Sequence, residues 1–328
     1  MLKKMMNSAR IHMKITPIDP LLIKSGQATV SGVDMSFVQT YRFGEKSEPY
    51  IPGSSLKGVI RSYAEKICRS IKDDPVPVCL PYLTPGSESR GETGQASCGL
   101  RLEKYKKDFN KDAVPTSNIY RLSCPVCRLF GSHGFVGRCA TADAYLTDEC
   151  KKTGGAVLEI RDGVAIDSFT GGAAKGAKYD LEVLTRGEFD TSIEIRNFER
   201  WQLGLLGLVL RDMEAGLVRI GFGKSRGLGR IKVIVEEFQI TSFFKPLGML
   251  SGLGGVCSPD ECREYGFYPE GSAEGVALPD PVINGLRQEY NITENWKDIC
   301  QPALDDLVNL LETSTWPAPM DDFCRGGQ

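Results

Sequence analysis

Gly221-Phe222-Gly223-Lys224-Ser225-Arg226-Gly227-Leu228-Gly229-Arg230 lies between two apolar runs. The first is Leu217 to Ile220. The second runs from Arg230 to Phe238 and alternates, with Ile231, Val233 and Val235 on one face. The spacing predicts a turn between two strands. Because a strand follows it, the segment does not open a Rossmann helix. It is not a Walker A loop either, since Val218 stands where that loop needs a glycine, five residues before Gly223. Glycines let backbone N–H groups approach an anion, and the basic side chains add charge-assisted contacts to phosphate. A plain hairpin whose glycines only satisfy positive φ fits the same composition, so the residues alone leave both readings open.

Working back from this turn, a second helix is predicted from about Phe198 to Glu214. Strand-like runs precede it at Arg138 to Leu146, Ala156 to Ile160, Val164 to Asp167 and Ser192 to Arg196. The Gly/Ala/Lys stretch Thr170 to Lys178 reads as a mobile loop or hairpin tip. The clearest helix lies further upstream. Leu56, Val59, Ile60, Tyr63, Ala64, Ile67, Cys68 and Ile71 recur at helical spacing, with Ser54 or Ser55 as N-cap. A first strand, His12 to Ile23, is broken at Pro17 and Pro20 and leads into a polar loop, Lys24 to Glu48. Strand, helix, strands, helix, strand is the order of an α+β, ferredoxin-like sheet with helices on one face.

With 41% apolar and 25% charged side chains in 328 residues, wholesale disorder is excluded. The longest strongly apolar run, Trp201 to Leu210, is far short of the roughly 20 residues that span a bilayer. With no signal-peptide core after Met1, a soluble, cytoplasmic protein is expected. The net charge of −2 averages two unlike parts: residues 244–328 hold 5 Lys/Arg against 14 Asp/Glu, and residues 1–243 hold 35 against 28. That pattern suits a polyanion-binding body, 1–243, with an acidic C-terminal extension, 244–328, in which one helix is expected at Ile299 to Leu311.

Residues 72–123 are rich in Pro, Gly, Ser and charge without periodicity and read as an insertion. Among the eleven cysteines, Cys124-Pro125-Val126-Cys127 is half of a tetrahedral zinc site. Cys79 and Cys98 in the insertion are the best candidates for the other half, with Cys68, Cys139 and His133 in reserve. An insertion with few apolar residues needs a staple, which favours structural Zn²⁺; buried thiols without metal stay open, and a redox CxxC lacks its strand-to-helix context. Cys257 and Cys262 have no second pair. Two histidines, His12 and His133, leave little material for histidine catalysis, so chemistry must rest on carboxylate, lysine or metal. Asp34, in a loop after the first strand, is a carboxylate that can hold a divalent ion. Lys57 and Arg61, four apart, are expected on the helix face opposite the core, with the N-terminus at Ser54 open to a phosphate.

The loop with Gly32-Val33-Asp34, then Ile51-Pro52-Gly53-Ser54-Ser55-Leu56-Lys57-Gly58, Cys127-Arg128-Leu129-Phe130-Gly131-Ser132, Arg161-Asp162-Gly163-Val164-Ala165-Ile166-Asp167 and Gly223-Lys224-Ser225-Arg226-Gly227-Leu228-Gly229 follow one another in order. Together they resemble the RAMP superfamily, and more narrowly the repeated backbone subunit of type III CRISPR effector complexes. The resemblance implies a modified ferredoxin-like, RRM-related core that grips a guide crRNA and leaves its bases free to pair with target RNA. It implies a thumb hairpin within residues 161–185, with Asp167, Phe169 and Thr170, that kinks the duplex. Asp34 would serve Mg²⁺-dependent endoribonuclease cleavage beside each kink. Ser54, Lys57, Arg61, Arg128, Lys224, Ser225 and Arg226 would contact RNA. The implied partners are other subunits of the complex and further copies of the chain, with no membrane. The non-catalytic alternative is a structural crRNA-binding subunit.

Overall fold

The computed structural model describes residues 3–26, 32–42, 47–80, 97–108, 114–270, 276–314 and 316. Parts of the 24–48 loop (27–31 and 43–46) and of the 72–123 insertion (81–96 and 109–113) therefore lie outside the described residues. In chain order the first elements are β1 (Asn7–Pro17), β2 (Gln39–Tyr41), β3 (Ser47–Ile51), α1 (Gly53–Ile71), α2 (Cys98–Asp108), α3 (Thr116–Arg121), α4 (Pro125–Phe130), β4 (Gly131–Ser132) and β5 (Phe135–Val136). Next come β6 (Cys139–Thr141), β7 (Ala144–Leu146), α5 (Asp148–Lys152), β8 (Val157–Ile166), β9 (Ala173–Arg186), β10 (Phe189–Arg196), α6 (Arg200–Glu214) and β11 (Ile231–Phe243). The C-terminal part adds α7 (Leu253–Val256), α8 (Pro259–Tyr265), β12 (Val282–Asn284), β13 (Arg287–Asn291), α9 (Trp296–Ile299) and α10 (Gln301–Thr313).

The centre of the sheet runs β11-β1-β10-β7, every neighbour antiparallel, with α1 following β1 and α6 following β10. This is the ferredoxin-like order expected from the sequence. Alternation makes β1 central: Ala9, Ile11, Met13 and Ile15 are buried while Arg10 faces solvent. In β11 the inward phase starts with Ile231 and Val233, and a bulge opposite His12/Met13 shifts it to Phe238 and Ile240. One extra residue in an antiparallel pair does this, because the side-chain period is two. Arg138 to Leu146 forms two short strands, β6 and β7, both paired to β10. Leu217 to Ile220 forms no strand beyond a single bridge between Arg219 and Arg230. Of the two readings of Thr170 to Lys178, the hairpin tip holds: from Ala173 on the stretch belongs to the long strand β9, paired with β8 as a separate hairpin.

The described residues from 244 onward are part of the same body. β13 pairs with β11 and carries β12 on its far side, extending the main sheet. α10 lies on the outer side of α6, so closely that a Cβ on Gly204 would meet the Ala303 carbonyl. Trp296, Ile299, Ala303, Leu307 and Leu311 join the core of Trp201, Leu205 and Val209. α6 is apolar nearly all round and therefore needs cover on both sides. The boundary at 243/244 thus marks a change in charge, while the core runs across it.

Arg200 of α6 and Asp306 of α10 clasp in a two-pronged ion pair at 2.6 and 3.0 Å, with both side chains buried. Removing one partner leaves a buried, unpaired charge. Asp306→Ala is expected to lower the unfolding free energy by about 3–5 kcal/mol in a urea titration. A loss below about 1 kcal/mol would mean the guanidinium finds water in the variant.

Candidate functional site

β8 and β9 leave the sheet as a protruding hairpin whose tip lies at residues 167–172. Phe169 at the tip is 97% exposed, and Ile160 and Ile166 are also exposed on the hairpin. The Asp167 carboxylate accepts the backbone N–H groups of Phe169 and Thr170 and the Thr170 hydroxyl. Those bonds hold its pKa below the usual carboxylate range and fix the tip conformation.

Two consecutive residues of β9 gather the other candidates at the base of this hairpin. The Tyr179 hydroxyl accepts from the Arg226 guanidinium at 2.8 Å, and the Asp180 amide donates to Asp34 Oδ2 at 3.1 Å. A backbone bridge between Met35 and Leu181 docks the Asp34 loop alongside. Asp34 itself is exposed. In the glycine-rich turn, Lys224, Ser225 and Arg226 are exposed, and Arg219 braces the loop by donating to the Lys224 carbonyl at 3.0 Å. Partial burial, and then the nearby charge of Lys66, lowers the Lys224 pKa. Two of the glycines answer to the fold: at Gly221 and Gly229, both at positive φ, a Cβ would run into the carbonyls of Leu22 and Ile220. Gly227, at the tip, faces open space.

Between this turn and the start of α1 lies a cavity of about 290 Å³ lined by Lys24, Ser55 and Phe222 among others. Lys24 sits 3.8 Å over the Phe222 ring. Neither Lys24 nor Lys66 stood out in the sequence, because nothing local marks a lone lysine as facing this turn.

The expected setting of three of the RNA-contact candidates is corrected. Lys57 and Arg61 do not point freely into solvent opposite the core: β6 and the α4–β4 segment lie along that side of α1 and leave both half-buried. Lys57 donates to the Cys139 carbonyl at 2.8 Å. Arg61 is spread over the Gly131 carbonyl (3.0 Å), Glu65 (3.1 Å) and the Cys127 sulfur (3.3 Å). Arg128 is buried, donates to the Gly266 carbonyl, lies 3.8 Å from Glu199, and stacks over Tyr120 and Trp201. Ser54 remains exposed, but the first N–H of α1, that of Gly53, already donates to the Asp143 carboxylate at 2.6 Å. A carboxylate of the protein thus holds part of the place expected for a phosphate.

Cys79, Cys98, Cys124 and Cys127 come together, all buried, with their four sulfurs within 4.8 Å of one another. The Cys79 sulfur is 3.5 Å from that of Cys127 and 3.7 Å from that of Cys124. Around one ion with metal–sulfur distances near 2.3 Å, tetrahedral thiolates sit about 3.8 Å apart. A disulfide needs about 2.05 Å. This set can hold a metal. Hydrogen bonds from Cys124 and Cys127 pull the Cys79 thiol far down, whereas burial pushes that of Cys124 up. At Arg61 burial opposes the charge, but the Cys127 sulfur and Glu65 outweigh it and raise its pKa. The reserve ligands stay apart: burial pushes Cys68 and Cys139 up to about 12 each, and His133 is exposed.

A family model for the RAMP superfamily matches residues 14–232, from within β1 through the glycine-rich turn to the start of β11. The chain belongs to the RAMP superfamily. No curated protein matches it. The RAMP match takes in the hairpin, the Asp34 loop and the four cysteines, whereas β12, β13 and α10 lie beyond it. Among the described residues, no helix of this RAMP protein is long and apolar enough to cross a membrane.

Proposed function

We propose that this RAMP protein is a guide-RNA-binding backbone subunit of a type III CRISPR RNA-targeting complex, with metal-dependent cleavage of target RNA at Asp34. Membership of the superfamily supports a crRNA-binding CRISPR subunit in general. One observation carries the finer reading. Tyr179 and Asp180 tie the cationic turn and the Asp34 loop to the root of a hairpin with a bare aromatic tip. A guide strand laid along Lys224, Ser225, Arg226 and Ser54 passes that root. Phe169, with Asp167 and Thr170 shaping its turn, would wedge between bases. The partners are crRNA, target RNA, other subunits and further copies of the chain, acting in the cytoplasm.

At Asp34 one carboxylate oxygen is held by the Asp180 amide, and the side chain is open to solvent. A Mg²⁺ ion is satisfied by one or two carboxylates plus substrate phosphate oxygens, so this residue fits a site completed by the target. Bound there, Mg²⁺ would supply charge stabilisation for in-line attack of a ribose 2′-hydroxyl on the neighbouring phosphate. The protein's own part is to orient that phosphodiester by holding the guide and splaying the duplex. No histidine is needed. Structural Zn²⁺ is assigned to Cys79, Cys98, Cys124 and Cys127, where it staples the 72–123 insertion to α4.

The bond from the Asp180 amide also favours a second reading, in which Asp34 only docks its loop and the subunit is structural. Target cleavage by assembled Asp34→Asn and Asp34→Ala complexes separates the two, because Asn keeps the acceptor and loses the charge.

Guide binding has its own test. Each phosphate neutralised on a single strand adds about −0.7 to the slope of log K against log salt. Lys224→Glu and Arg226→Glu are each expected to weaken crRNA binding at low salt and flatten the slope by about that amount. Unchanged affinity and slope in both variants would remove the turn from the RNA path.

A further inference from the structure

We infer that Arg61 is a positioning residue of the metal centre, donating a charged hydrogen bond to the Cys127 thiolate; this rests on the zinc reading above. The sulfurs are supported unequally. Cys98 accepts the Cys124 amide at 3.2 Å, Cys124 accepts the Cys127 amide at 3.4 Å, and the Cys98 backbone supports Cys79. Cys127 instead meets Nη2 of Arg61 at 3.3 Å. The other two nitrogens of that guanidinium are anchored on Gly131 and Glu65. The fork is thus held on three sides, and lysine, with a single charged nitrogen, matches this only in part.

Charge explains why such a donor belongs here. Four thiolates around a divalent cation leave a net charge of two minus in a buried place, which is unfavourable unless a partner is near. Arg61, which shares its charge with Glu65, offsets part of it. Access is the second reason. A cavity of about 660 Å³ opens onto Cys79, Cys98 and Cys127, with Arg61 in its wall. Removing the guanidinium would let water and competing ligands reach the Cys127 sulfur.

The test uses the purified full-length protein. Zinc content comes first. About one zinc per chain is the expected result, and zinc-free wild-type protein in which α2, α3 and α4 stay as protected as the central sheet would overturn the zinc reading and this inference with it. Zinc-loaded Arg61→Ala and Arg61→Gln are then expected to release the ion to an excess of chelator about 10–100-fold faster than wild type, with Arg61→Lys in between. In cobalt-substituted protein, loss of the donor should move the thiolate-to-metal charge-transfer band to lower energy. If Arg61→Ala does not fold, Arg61→Gln and Arg61→Lys carry the comparison. Zinc-bearing variants with wild-type release rates and spectra would overturn the role of Arg61 while leaving the zinc site standing. So would Arg61→Gln protein that loses RNA affinity and keeps its zinc as tightly as before.

Discussion

Stripping the metal is expected to open the segment from the insertion to β5 while the central sheet stays folded. A structural zinc site in a small domain is worth about 10–16 kcal/mol of apparent binding free energy at neutral pH. Within the insertion, α2 and α3 pack mainly on a minor core of Leu102, Tyr105, Ile119 and Tyr120, separate from the main one. α1, β1, β10 and α6 draw on the main core, in which the four cysteines are a small share, and are expected to outlast the ion. Chelation, or Cys124→Ser with Cys127→Ser, should therefore expose α2, α3 and the stretch from α4 to β5 to limited proteolysis and fast hydrogen exchange, with exchange in β1 and β10 unchanged. Full protection of α2 and α3 after metal removal would show that the minor core suffices.

Substitution of Asp34 carries the second large effect. If its charge serves the reaction, Asp34→Asn and Asp34→Ala should both lower single-turnover cleavage of target RNA by at least about a hundredfold, with complex assembly intact. The docking bond contributes about 1 kcal/mol, a small part of such a loss. The two variants differ in what they leave behind. Asparagine keeps an acceptor for the Asp180 amide at the root of the hairpin, and alanine does not. Cleavage retained in Asp34→Asn and lost in Asp34→Ala would make Asp34 a loop anchor. Cleavage retained in both would remove it from the mechanism.

Much of the core was legible because it is written in local periodicities. The stripe from Leu56 to Cys68 on α1 and the alternation of Ile231 and Val233 on β11 each reflect one buried face. Cys79 and Cys98 were legible as companions of Cys124 and Cys127 because they lie in a stretch too polar to hold itself together. The direction of Lys57, Arg61 and Arg128 was not. It depends on which distant segment covers α1 and α4, and helical spacing is silent on that. The place of the C-terminal part was half legible. Trp201 to Leu210 was read as part of a helix too short to span a membrane, yet an apolar helix beside a single sheet leaves one side uncovered, and α10 covers it. Acidity drew attention away from Leu307 and Leu311, which pack in the core beside the buried Asp306.

The protruding hairpin is joined to the sheet by a very short hinge. β9 ends at Arg186 and β10 begins at Phe189, so Gly187 and Glu188 alone separate the arm from a central strand. Bridges from Leu21 to Leu184 and from Met35 to Leu181 clamp the arm just above that joint. An arm mounted in this way has little room to swing. The distance from its aromatic tip to the basic turn is then built in, like a mark on a ruler. A string of such arms would divide a threaded polymer at intervals set by the chain's own dimensions, whatever letters that polymer carries.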